Sequence, residues 1–449
     1  MNLKILMGSL PRQAASRLTS ALLLALLLGV SASAQRQVGG DISLLAKYET
    51  NGAKYYDLDG QPVTDMLGFL KQQGLNALRV RLFVDPSKAS ATDKGTGVVQ
   101  DLDYVMALGK RIKDAGFSFM LDFHYSDTWA DPSNQWTPDA WKALADAQLQ
   151  QQLYDYTKDC LQQLSAAGAT PDYIQTGNEI SYGILWGTKA AANDNKTNRC
   201  FYNSSEANWT RFTSLLKQAG KACREVCPQA KIILHSERVP RTDVLSDFLN
   251  RMKSAAVDYD IVGLSYYPYY HGFLPQLERA LQTVESTAPD KDVMIVETGY
   301  YYAWQPNGVD YDYSATYPVS PAGQQAFTKA LIQQLATHPK VIGLYWWMME
   351  ASENGLDWNT KRVTDEWYNA SLFNDSNTSD VGYPAGKAMP ALGELKDFLA
   401  SDAAVHSTKS QSAPASGRRY DLQGRQTGNR ESVKSLYIHN GRKTIGRRP

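Results

Sequence analysis

The sequence lacks the motifs of metal, nucleotide and membrane proteins, and each absence excludes a class of function. Its four cysteines include no C-x2-C pair, so no structural zinc site is expected. No Gly-rich phosphate loop, dinucleotide fingerprint or Ser-His-Asp set is recognisable. Beyond residue 34, no apolar run is long enough to cross a bilayer. We therefore expect no organic cofactor, no metal in the site and no transmembrane anchor.

The chain also lacks net charge, but this balance hides two segments of opposite sign. Residues 401–449 contain 10 Lys and Arg against 3 Asp and Glu, whereas residues 35–400 contain 33 against 43. The acidic body argues against nucleic acid or another polyanion as the partner, since either would need a basic groove. We expect a neutral substrate, no nucleic-acid partner and a monomer.

The longest apolar run lies near the N-terminus. Three basic residues precede the run Ala21 to Val30, which ends in the small residues Ser31-Ala32-Ser33-Ala34. This order is typical of a signal peptide with cleavage before Gln35, and the run is too short for a permanent membrane helix. We expect residues 1–34 to be removed and the protein to be exported to the periplasm, the cell surface or the extracellular space.

Export would permit disulfides among the cysteines, Cys160, Cys200, Cys223 and Cys227. Three connectivities exist if all four pair. A long helical pattern separates Cys200 from the two later cysteines by about 30 Å at helical rise, which disfavours pairing with either. The other pairings stay open.

From residue 39 onward, short apolar runs alternate with amphipathic segments, and glycines such as Gly74 and Gly116 follow the helical patterns where helices end. Eight such β-α repeats predict an α/β fold, a (β/α)8 TIM barrel, over residues 35–400. The predicted strands are Gly40 to Leu44, Ala77 to Phe83, Ser118 to His124, Tyr173 to Gly177, Lys231 to His235, Ile261 to Tyr266, Val293 to Glu297 and Val341 to Trp346. The clearest helical patterns are Val63 to Gln73, Asp101 to Ala115, Ala140 to Ala167, Asn208 to Cys227 and Gln324 to Ala336.

Two of these strands lead to a glutamate at the end where a barrel carries its chemistry. Asn178 and Glu179 follow the fourth strand, and Glu297 closes the seventh. Cleaving a glycosidic bond needs one group that protonates the leaving oxygen and another that attacks or stabilises the anomeric centre, and two facing carboxyls supply both. Because parallel strand ends are rigid and share one rim, the pair predicts a glycosidase. The 26 Tyr and 10 Trp suit a cleft in which aromatic rings stack on sugars.

Polar or aromatic residues occupy nearly every other strand end. Arg79 and Arg81 fall on one face of the second strand, and we expect Arg81, nearer the rim, to keep the nucleophilic carboxylate ionised. His124 and His235 are predicted to reach the cleft, with a buried core position as the alternative for each. The residues that we expect to contact substrate are Asp41, Arg81, His124, Trp129, Asn178, His235, Tyr266, Trp346 and Trp347.

Five segments of the chain carry a family resemblance: Gly40 to Ser43, Gly74 to Leu82, Leu121 to Pro132, Gln175 to Glu179 and Val296 to Thr298. Together they resemble glycoside hydrolase family 53, the arabinogalactan endo-β-1,4-galactanases, over roughly residues 39–400. The loop after the third strand is the most specific to that family. Asn-Glu at the end of a fourth strand is instead shared by a large clan of retaining barrel glycosidases.

The resemblance implies a retaining, endo-acting hydrolase of the β-1,4-galactan and arabinogalactan side chains of pectin. Glu179 would be the acid/base, Glu297 the nucleophile, and Asn178 would hold the hydroxyl next to the anomeric carbon. The residues that would orient the carboxylates or the sugar, or form the platform below it, are Arg81, His124, Tyr266, Trp346 and Trp347.

The eighth strand departs from the family pattern, in which many members have Tyr-Trp-Glu-Pro. This chain has Tyr345-Trp346-Trp347-Met348-Met349-Glu350, which keeps the aromatic platform but not the adjacent carboxylate. The departure concerns the outer subsites and the product length more than the cleavage chemistry. Some relatives hold a structural calcium in the following segment, Glu350 to Asp380, which is rich in oxygen ligands here but has no EF-hand spacing. A bound calcium and a solvated polar loop both stay open.

Beyond Leu399 the composition changes. Residues 401–416 predict a polar linker and residues 417–449 a small basic tail. Alternating residues and the Asn440-Gly441 dipeptide predict two or three short strands in the tail. The tail resembles C-terminal segments that sort or attach exported proteins of the Bacteroidetes, and a disordered basic tail is the alternative.

Two other function classes stay open. The first is a related retaining barrel glycosidase, such as a β-mannanase, xylanase or cellulase, against which only the loop after the third strand argues. The second is a noncatalytic galactan-binding barrel, which would have no need to keep both Glu179 and Glu297 at its cleft floor. Transglycosylation is a further outcome of the same chemistry, since it starts from the same glycosyl-enzyme.

Overall fold

The computed structural model describes residues 35–189, 196–200, 205–305, 309–351, 369–374 and 386–400, together with four backbone strands between residues 419 and 445. The chain divides into two compact units, Met1–Leu399 and Ala400–Pro449. The predicted signal peptide, residues 1–34, and the predicted linker, residues 401–416, lie outside the described residues.

The first unit contains a closed barrel of eight parallel strands. Each strand pairs with its neighbours in chain order, and the first strand closes the ring by pairing with the eighth. The predicted (β/α)8 barrel is therefore confirmed. The strands are β1 Gln37–Asp41, β2 Ala77–Leu82, β3 Ser118–Phe123, β4 Tyr173–Gln175, β5 Lys231–Ser236, β6 Ile261–Tyr266, β7 Asp292–Thr298 and β8 Val341–Trp346.

Amphipathic helices follow the strands. Three of them begin where a side chain caps the first turn. Asp65, Asp101 and Ser320 accept hydrogen bonds there from the amides of Gly68, Tyr104 and Gly323. Gly74 and Gly116 follow two of them with φ of 89° and 75°, a conformation that favours glycine. The helices are α1 Met66–Gln72, α2 Leu102–Asp114, α3 Asp146–Ala166, α4 Glu206–Val226, α5 Thr242–Ser254, α6 Leu274–Thr287, α7 Pro321–Leu335 and α8 Pro390–Glu394.

Several shorter elements lie outside the main strands and helices of the barrel, mostly in the loops. They comprise the paired strands Tyr55–Tyr56 and Pro62–Val63, the helices Leu45–Thr50, Ala91–Gly95 and Pro268–His271, and the 3-10 turns Pro86–Lys88, Asp139–Trp141 and Ile180–Tyr182. Within the described residues, no helix is both long and apolar enough to cross a membrane. All four cysteines are buried free thiols.

The first strand begins earlier than the sequence pattern predicts. Gly40 to Leu44 was the predicted range, whereas the strand covers Gln37–Asp41 and the chain then turns into the helix Leu45–Thr50. The strand contains two glycines, which have low strand propensity, so the pattern missed it. Only glycine fits at position 39, because a β-carbon there would lie 1.7 Å from the carbonyl oxygen of Ala77 in β2.

The barrel interior has an apolar floor below the polar catalytic end. Met120, Ile233, Ile261 and Met294 belong to one buried cluster that is separate from the larger core under the helices. Strand alternation then points the next inward residues, such as Asp122 and His235, toward the carboxyl ends of the strands. The polar side chains of the site therefore rest on a close-packed apolar layer.

Irregular pairing interrupts alternation in the last strands. Leu264 pairs with Ile295, but the next pair is Ser265 with Glu297, so Val296 is an extra residue in β7. Val296 still packs in the barrel interior, beside Met294. Such a bulge rotates the residues that follow it, and it turns Glu297 inward as well. Pairing of β8 with β7 shifts twice, between Val341 and Gly343 and between Leu344 and Trp346.

The second unit contains a four-stranded antiparallel sheet of order β10-β9-β11-β12, where the sequence predicted two or three strands. His439 pairs with Arg442 across the Asn440-Gly441 dipeptide, which itself lies outside the described residues. The strands are β9 Arg419–Tyr420, β10 Gln426–Thr427, β11 Leu436–His439 and β12 Arg442–Ile445.

Gly39→Ala is expected to lower the free energy of unfolding by about 3 kcal/mol or more, because the new methyl group would force β1 and β2 apart. Gly220→Ala in α4 is the matched control. The nearest atom to its added β-carbon would be 3.5 Å away, and alanine favours helix, so stability should stay or rise. Urea unfolding of both variants measures the difference, and equal stabilities would contradict the close approach.

Candidate active site

The two predicted catalytic glutamates face each other at the carboxyl ends of the strands. One carboxylate oxygen of Glu179 and one of Glu297 lie within 4.8 Å of each other and of a ring nitrogen of His235. The Ser265 hydroxyl lies between them, 2.6 Å from Oε1 of Glu179 and 3.4 Å from Oε2 of Glu297. The two carboxyls are therefore close enough to act on the same bond.

Glu179 occupies an unusual backbone conformation. It follows Gly177 and Asn178 after the end of β4, with φ of 49° and ψ of 57° in the left-handed region. A residue with a β-carbon is strained there by about 1–3 kcal/mol, and such strain concentrates at functional sites. The turn lifts the carboxyl from the strand end into the cleft.

A short chain of hydrogen bonds holds the Glu179 carboxyl from below. The Gln175 side-chain amide and the Glu179 backbone amide both donate to Nδ1 of His235, at 2.9 and 3.2 Å. Nδ1 also lies 3.0 Å from one acceptor, Oδ1 of Asn178, but two donors converge on it. We therefore assign the ring proton to Nε2, which donates to the Ser265 hydroxyl at 2.8 Å. Ser265 in turn donates to Glu179, so His235 acts on the carboxyl through the serine.

Arg79 is the cation at the centre of the site. Its guanidinium is fully buried and pairs with Glu297 at 2.9 Å, Asp122 at 2.8 Å and Asp41 at 3.1 Å. It also donates to the side-chain oxygens of Gln175 at 2.7 Å and Asn178 at 2.9 Å. Burial disfavours this charge, but the three carboxylates outweigh it and raise the pKa of Arg79.

The two catalytic carboxyls differ in their surroundings. Burial and the charges of Glu297 and Glu237 raise the pKa of Glu179 well above its ordinary value, against a lowering by the Ser265 hydrogen bond. Burial also raises the pKa of Glu297, but the Arg79 charge and the Tyr267 hydroxyl, 3.0 Å away, lower it. Glu297 therefore ionises first, and Glu179 retains the proton.

In the described part of the chain, one cluster of three side chains has the residue types that could bind a metal ion: Glu179, His235 and Glu297. Their contacts do not fit a metal ion. Both ring nitrogens of His235 already have partners, at Gln175 and Ser265. The Arg79 guanidinium against Glu297 would repel a cation. The arrangement suits proton transfer and nucleophilic attack instead.

Above the two glutamates lies a cleft of about 360 Å³, within the range of small-ligand pockets. Trp129 and Trp347 form an aromatic wall with ring centres 6.4 Å apart. Nε1 of Trp129 donates to the Thr96 hydroxyl at 2.8 Å. The lining residues that also belong to the predicted or observed site are Trp129, Asn178, Glu179, Tyr267, Glu297 and Trp347.

Three predicted substrate contacts lie beneath the cleft, where they hold other side chains. Asp41 is 1% exposed and bridges Arg79 and Arg81. Arg81 is fully buried, with its guanidinium carbon 4.8 and 4.9 Å from the ring centres of Trp129 and Trp347. His124 pairs with Asp122 at 3.1 Å and accepts from the Ala130 amide. None of the three lines the cleft, and neither does a fourth predicted contact, His235, which is fully buried.

The role predicted for Arg81 belongs to Arg79. The prediction chose the arginine nearer the rim, but an arginine side chain extends well beyond its own α-carbon. Arg79, two residues deeper at a strand rise of about 3.3 Å per residue, therefore reaches Glu297. Arg81 lies closer to the rim and supports the tryptophan wall instead.

Tyr266 and Trp346 point away from the cleft, contrary to prediction. The Tyr266 hydroxyl donates to the Gly272 carbonyl, and its ring packs near Phe327 of α7. Trp346 is fully buried and donates to the Ala370 carbonyl at 2.7 Å. Their neighbours Tyr267 and Trp347 line the cleft, because successive strand residues face opposite sides.

Several residues of the site were not predicted as such. Gln175 and Ser265 belong to the hydrogen-bond chain, Tyr267 contacts Glu297, and Asp122 pairs with Arg79. Alternation along β6 is a signal for Ser265 and Tyr267, which lie on the face opposite Leu264 and Tyr266. No pattern in the sequence singles out Gln175.

Glu350 is the carboxylate that follows the unusual eighth strand. It is 1% exposed, and Oε1 accepts a hydrogen bond from the Leu44 amide at 2.8 Å. Burial and the charge of Asp41 raise its pKa to about 8. This carboxyl lies beside the Asp41 and Arg81 layer and does not line the cleft.

The segment considered for calcium falls mostly outside the described residues. Asp357, Asn359, Asp365, Asp375 and Asp380 are all in that undescribed part. Asn374 is described and buried, and its backbone pairs with Lys387 and Gly386. A structural calcium remains a proposal on the resemblance alone.

One protonated and one ionised carboxyl within reach of the same bond, at the carboxyl ends of barrel strands, are the arrangement that glycoside hydrolases use. The sequence agrees with this class: residues 37–385 match the family described as "Glycosyl hydrolase family 53". The chain belongs to that family, as the sequence segments predicted.

Known relatives resemble the chain over most of its length. It is 34% identical to a "Probable arabinogalactan endo-beta-1,4-galactanase A" of Neosartorya fischeri, covering 69% of this chain and 82% of the relative. It is 31% identical to an "Endo-beta-1,4-galactanase" of Bacillus subtilis, covering 69% and 68%. The solved "Ignisphaera aggregans GH53 catalytic domain" superimposes with a TM-score of 0.67 at 30% identity, covering 83% of this chain and 97% of that one.

Glu179→Gln is expected to stabilise the protein at neutral and alkaline pH. A carboxyl whose pKa is raised by folding destabilises the fold as pH rises above its unfolded pKa of about 4.3, until the folded pKa is passed. The amide removes this penalty, so the variant should gain at least about 1 kcal/mol above pH 7 and nothing near pH 4. Urea unfolding from pH 4 to 9 measures the difference. A gain independent of pH would contradict the raised pKa.

Proposed function

We propose that the protein is an exported endo-β-1,4-galactanase that hydrolyses galactan and arabinogalactan by a retaining double displacement. The observation that supports the retaining mechanism is the short distance, within 4.8 Å, between a carboxylate oxygen of Glu179 and one of Glu297. Retaining glycosidases have carboxyls about 5–5.5 Å apart, whereas inverting ones leave about 6.5–9.5 Å for a water molecule. The names of the relatives support the substrate, and the signal-peptide pattern in residues 1–34 supports export.

In the first step, a carboxylate oxygen of Glu297 attacks the anomeric carbon of the sugar. An ester bond forms there as the bond to the leaving oxygen breaks, and Glu179 donates its proton to that oxygen. Arg79 and the Tyr267 hydroxyl keep Glu297 ionised and oriented for attack. Asn178, held by Arg79 and the Ala130 carbonyl, is positioned beside the sugar.

In the second step, Glu179 is a carboxylate and takes a proton from water. The water oxygen attacks the anomeric carbon, the ester bond to Glu297 breaks, and its carboxylate is restored. Loss of the negative charge on Glu297 in the ester lowers the pKa of Glu179, which turns the acid into a base. The Ser265 hydroxyl next to both carboxyls can adjust its hydrogen bond in each step.

The substrate is tested with β-1,4-galactan, β-mannan, xylan and carboxymethylcellulose. The wild type is expected to release reducing ends from galactan alone. Glu179→Ala should reduce the rate by about 10²–10⁴-fold through loss of the proton donor, and Glu297→Ala at least as much. Reducing-end assays measure the rates, and circular dichroism checks that both variants fold.

Other outcomes of this panel separate the alternatives. Release from mannan, xylan or carboxymethylcellulose would replace the galactan assignment with another retaining glycosidase. Galactan binding without release would indicate a noncatalytic barrel. The first product should be the β-anomer by NMR, and an α-anomer would exclude retention. Longer products at high acceptor concentration would reveal transglycosylation.

Arg79→Lys is expected to move the acidic limb of the pH profile of kcat/KM to higher pH, by roughly one unit. Glu297 must be ionised to attack, and a single ammonium cannot reproduce the guanidinium contacts that lower its pKa. Arg81→Lys is the control, since Arg81 pairs with Asp41 and not with Glu297. Equal shifts in the two variants would contradict the assignment of Arg79.

A further inference from the structure

A second cavity lies next to the catalytic cleft. It measures about 390 Å³, similar to the cleft itself. The two cavities share three lining residues, Asp93, Thr128 and Lys189. They are therefore neighbours across one boundary. A chain seated over the glutamates could continue past this boundary.

The lining of the second cavity suits an uncharged, hydroxyl-rich ligand. Hydroxyl side chains of Ser90, Ser126, Thr137 and Thr188 line it, together with the indole of Trp136. Its two lysines are balanced by three aspartates, so the cavity favours neither an anion nor a strong cation. Several hydrogen-bonding groups beside an aromatic side chain match the chemistry of a sugar.

Thr128 marks the boundary between the cavities. Its side chain is 8% exposed, and its hydroxyl has no hydrogen-bond partner among the described residues. An unsatisfied buried hydroxyl costs about 1–3 kcal/mol, which a ligand hydroxyl at this position would recover. Thr128 belongs to the loop after β3, directly before the tryptophan of the cleft wall.

An ion pair crosses the same boundary. Nζ of Lys189 lies 3.6 Å from Asp93, joining the loop after β4 to the short helix Ala91–Gly95 after β2. The side chains are 51% and 20% exposed. Pairs as exposed as this contribute only about 0–1 kcal/mol, so a ligand can displace the contact at small cost.

We propose that the second cavity is an outer subsite, which binds further sugar units of the polysaccharide chain whose bond lies over Glu179 and Glu297. The Thr128 hydroxyl contacts the chain where it enters, and the Lys189–Asp93 pair spans it. The identity of the sugar rests on the proposed galactanase function. The adjacency of the two cavities does not depend on it.

The test compares kcat/KM for end-labelled β-1,4-galacto-oligosaccharides of increasing length. In the wild type, kcat/KM should keep rising for chains long enough to reach the second cavity. Thr137→Trp fills the cavity, so the ratio of kcat/KM for the longest to the shortest substrate should fall toward one. Thr128→Val should lower the same ratio by about three- to tenfold, the value of one neutral hydrogen bond.

Thr210→Trp and Thr210→Val carry the same substitutions on the exposed face of α4, away from both cavities, and should keep the wild-type ratio. Because the measurement is a ratio, a partial loss of folded enzyme cancels. Equal ratios in the wild type and both cavity variants would overturn the proposal.

Binding provides a readout that is independent of turnover. Calorimetry with Glu179→Gln should give tighter binding of long than of short galacto-oligosaccharides, and Thr137→Trp in that background should remove the difference. If galactan is not cleaved, the proposed function fails, and the oligosaccharide series is then taken from the polymer that the enzyme cleaves. A length dependence that survives Thr137→Trp would still overturn the subsite.

Discussion

The active site depends on one buried guanidinium. Arg79 neutralises part of a group of acids that could not otherwise remain charged in the barrel, and it pairs with Asp41, Asp122 and Glu297 at once. Breaking a buried pair of this kind costs about 3–5 kcal/mol, because the remaining charge has no water to stabilise it. The same contacts favour the ionised form of Glu297, while burial favours the protonated form of Glu179. The ion pairs of Arg79 therefore serve both the stability of the fold and the protonation states of the site.

The architecture separates tasks by depth. An apolar layer closes the bottom of the barrel, a layer of paired charges lies above it, and the cleft opens on top. Arg81 shows how the layers cooperate, since its guanidinium binds Asp41 on one side and supports the indoles of Trp129 and Trp347 on the other. Second layers of this kind hold catalytic groups within the small tolerance that chemistry needs.

The predicted site residues that the structure places at the cleft include those whose position follows from the strand end alone. Glu179, Glu297 and Asn178 meet in the cleft, as the barrel topology requires. The errors occurred where the direction or the length of a side chain decided its contacts. Tyr266 was chosen over Tyr267, and Trp346 was named beside Trp347, because the pattern gave the end of each strand but not the direction of each side chain. Arg81 was chosen over Arg79 because its backbone lies nearer the rim of the barrel, whereas the position of the guanidinium decides which arginine contacts Glu297.

By itself the sequence determined the order of strands and helices and the barrel, because hydrophobic period and turn residues are local properties of the chain. Its motif segments indicated the family, which the family match confirms. Only the tertiary structure decided which residues meet. The extra residue Val296 in β7, the left-handed backbone of Glu179 and the pairing of Arg79 with three distant acids all arise between strands. A single sequence holds no record of these relations, since bulges, strain and ion pairs depend on neighbours that are far apart along the chain.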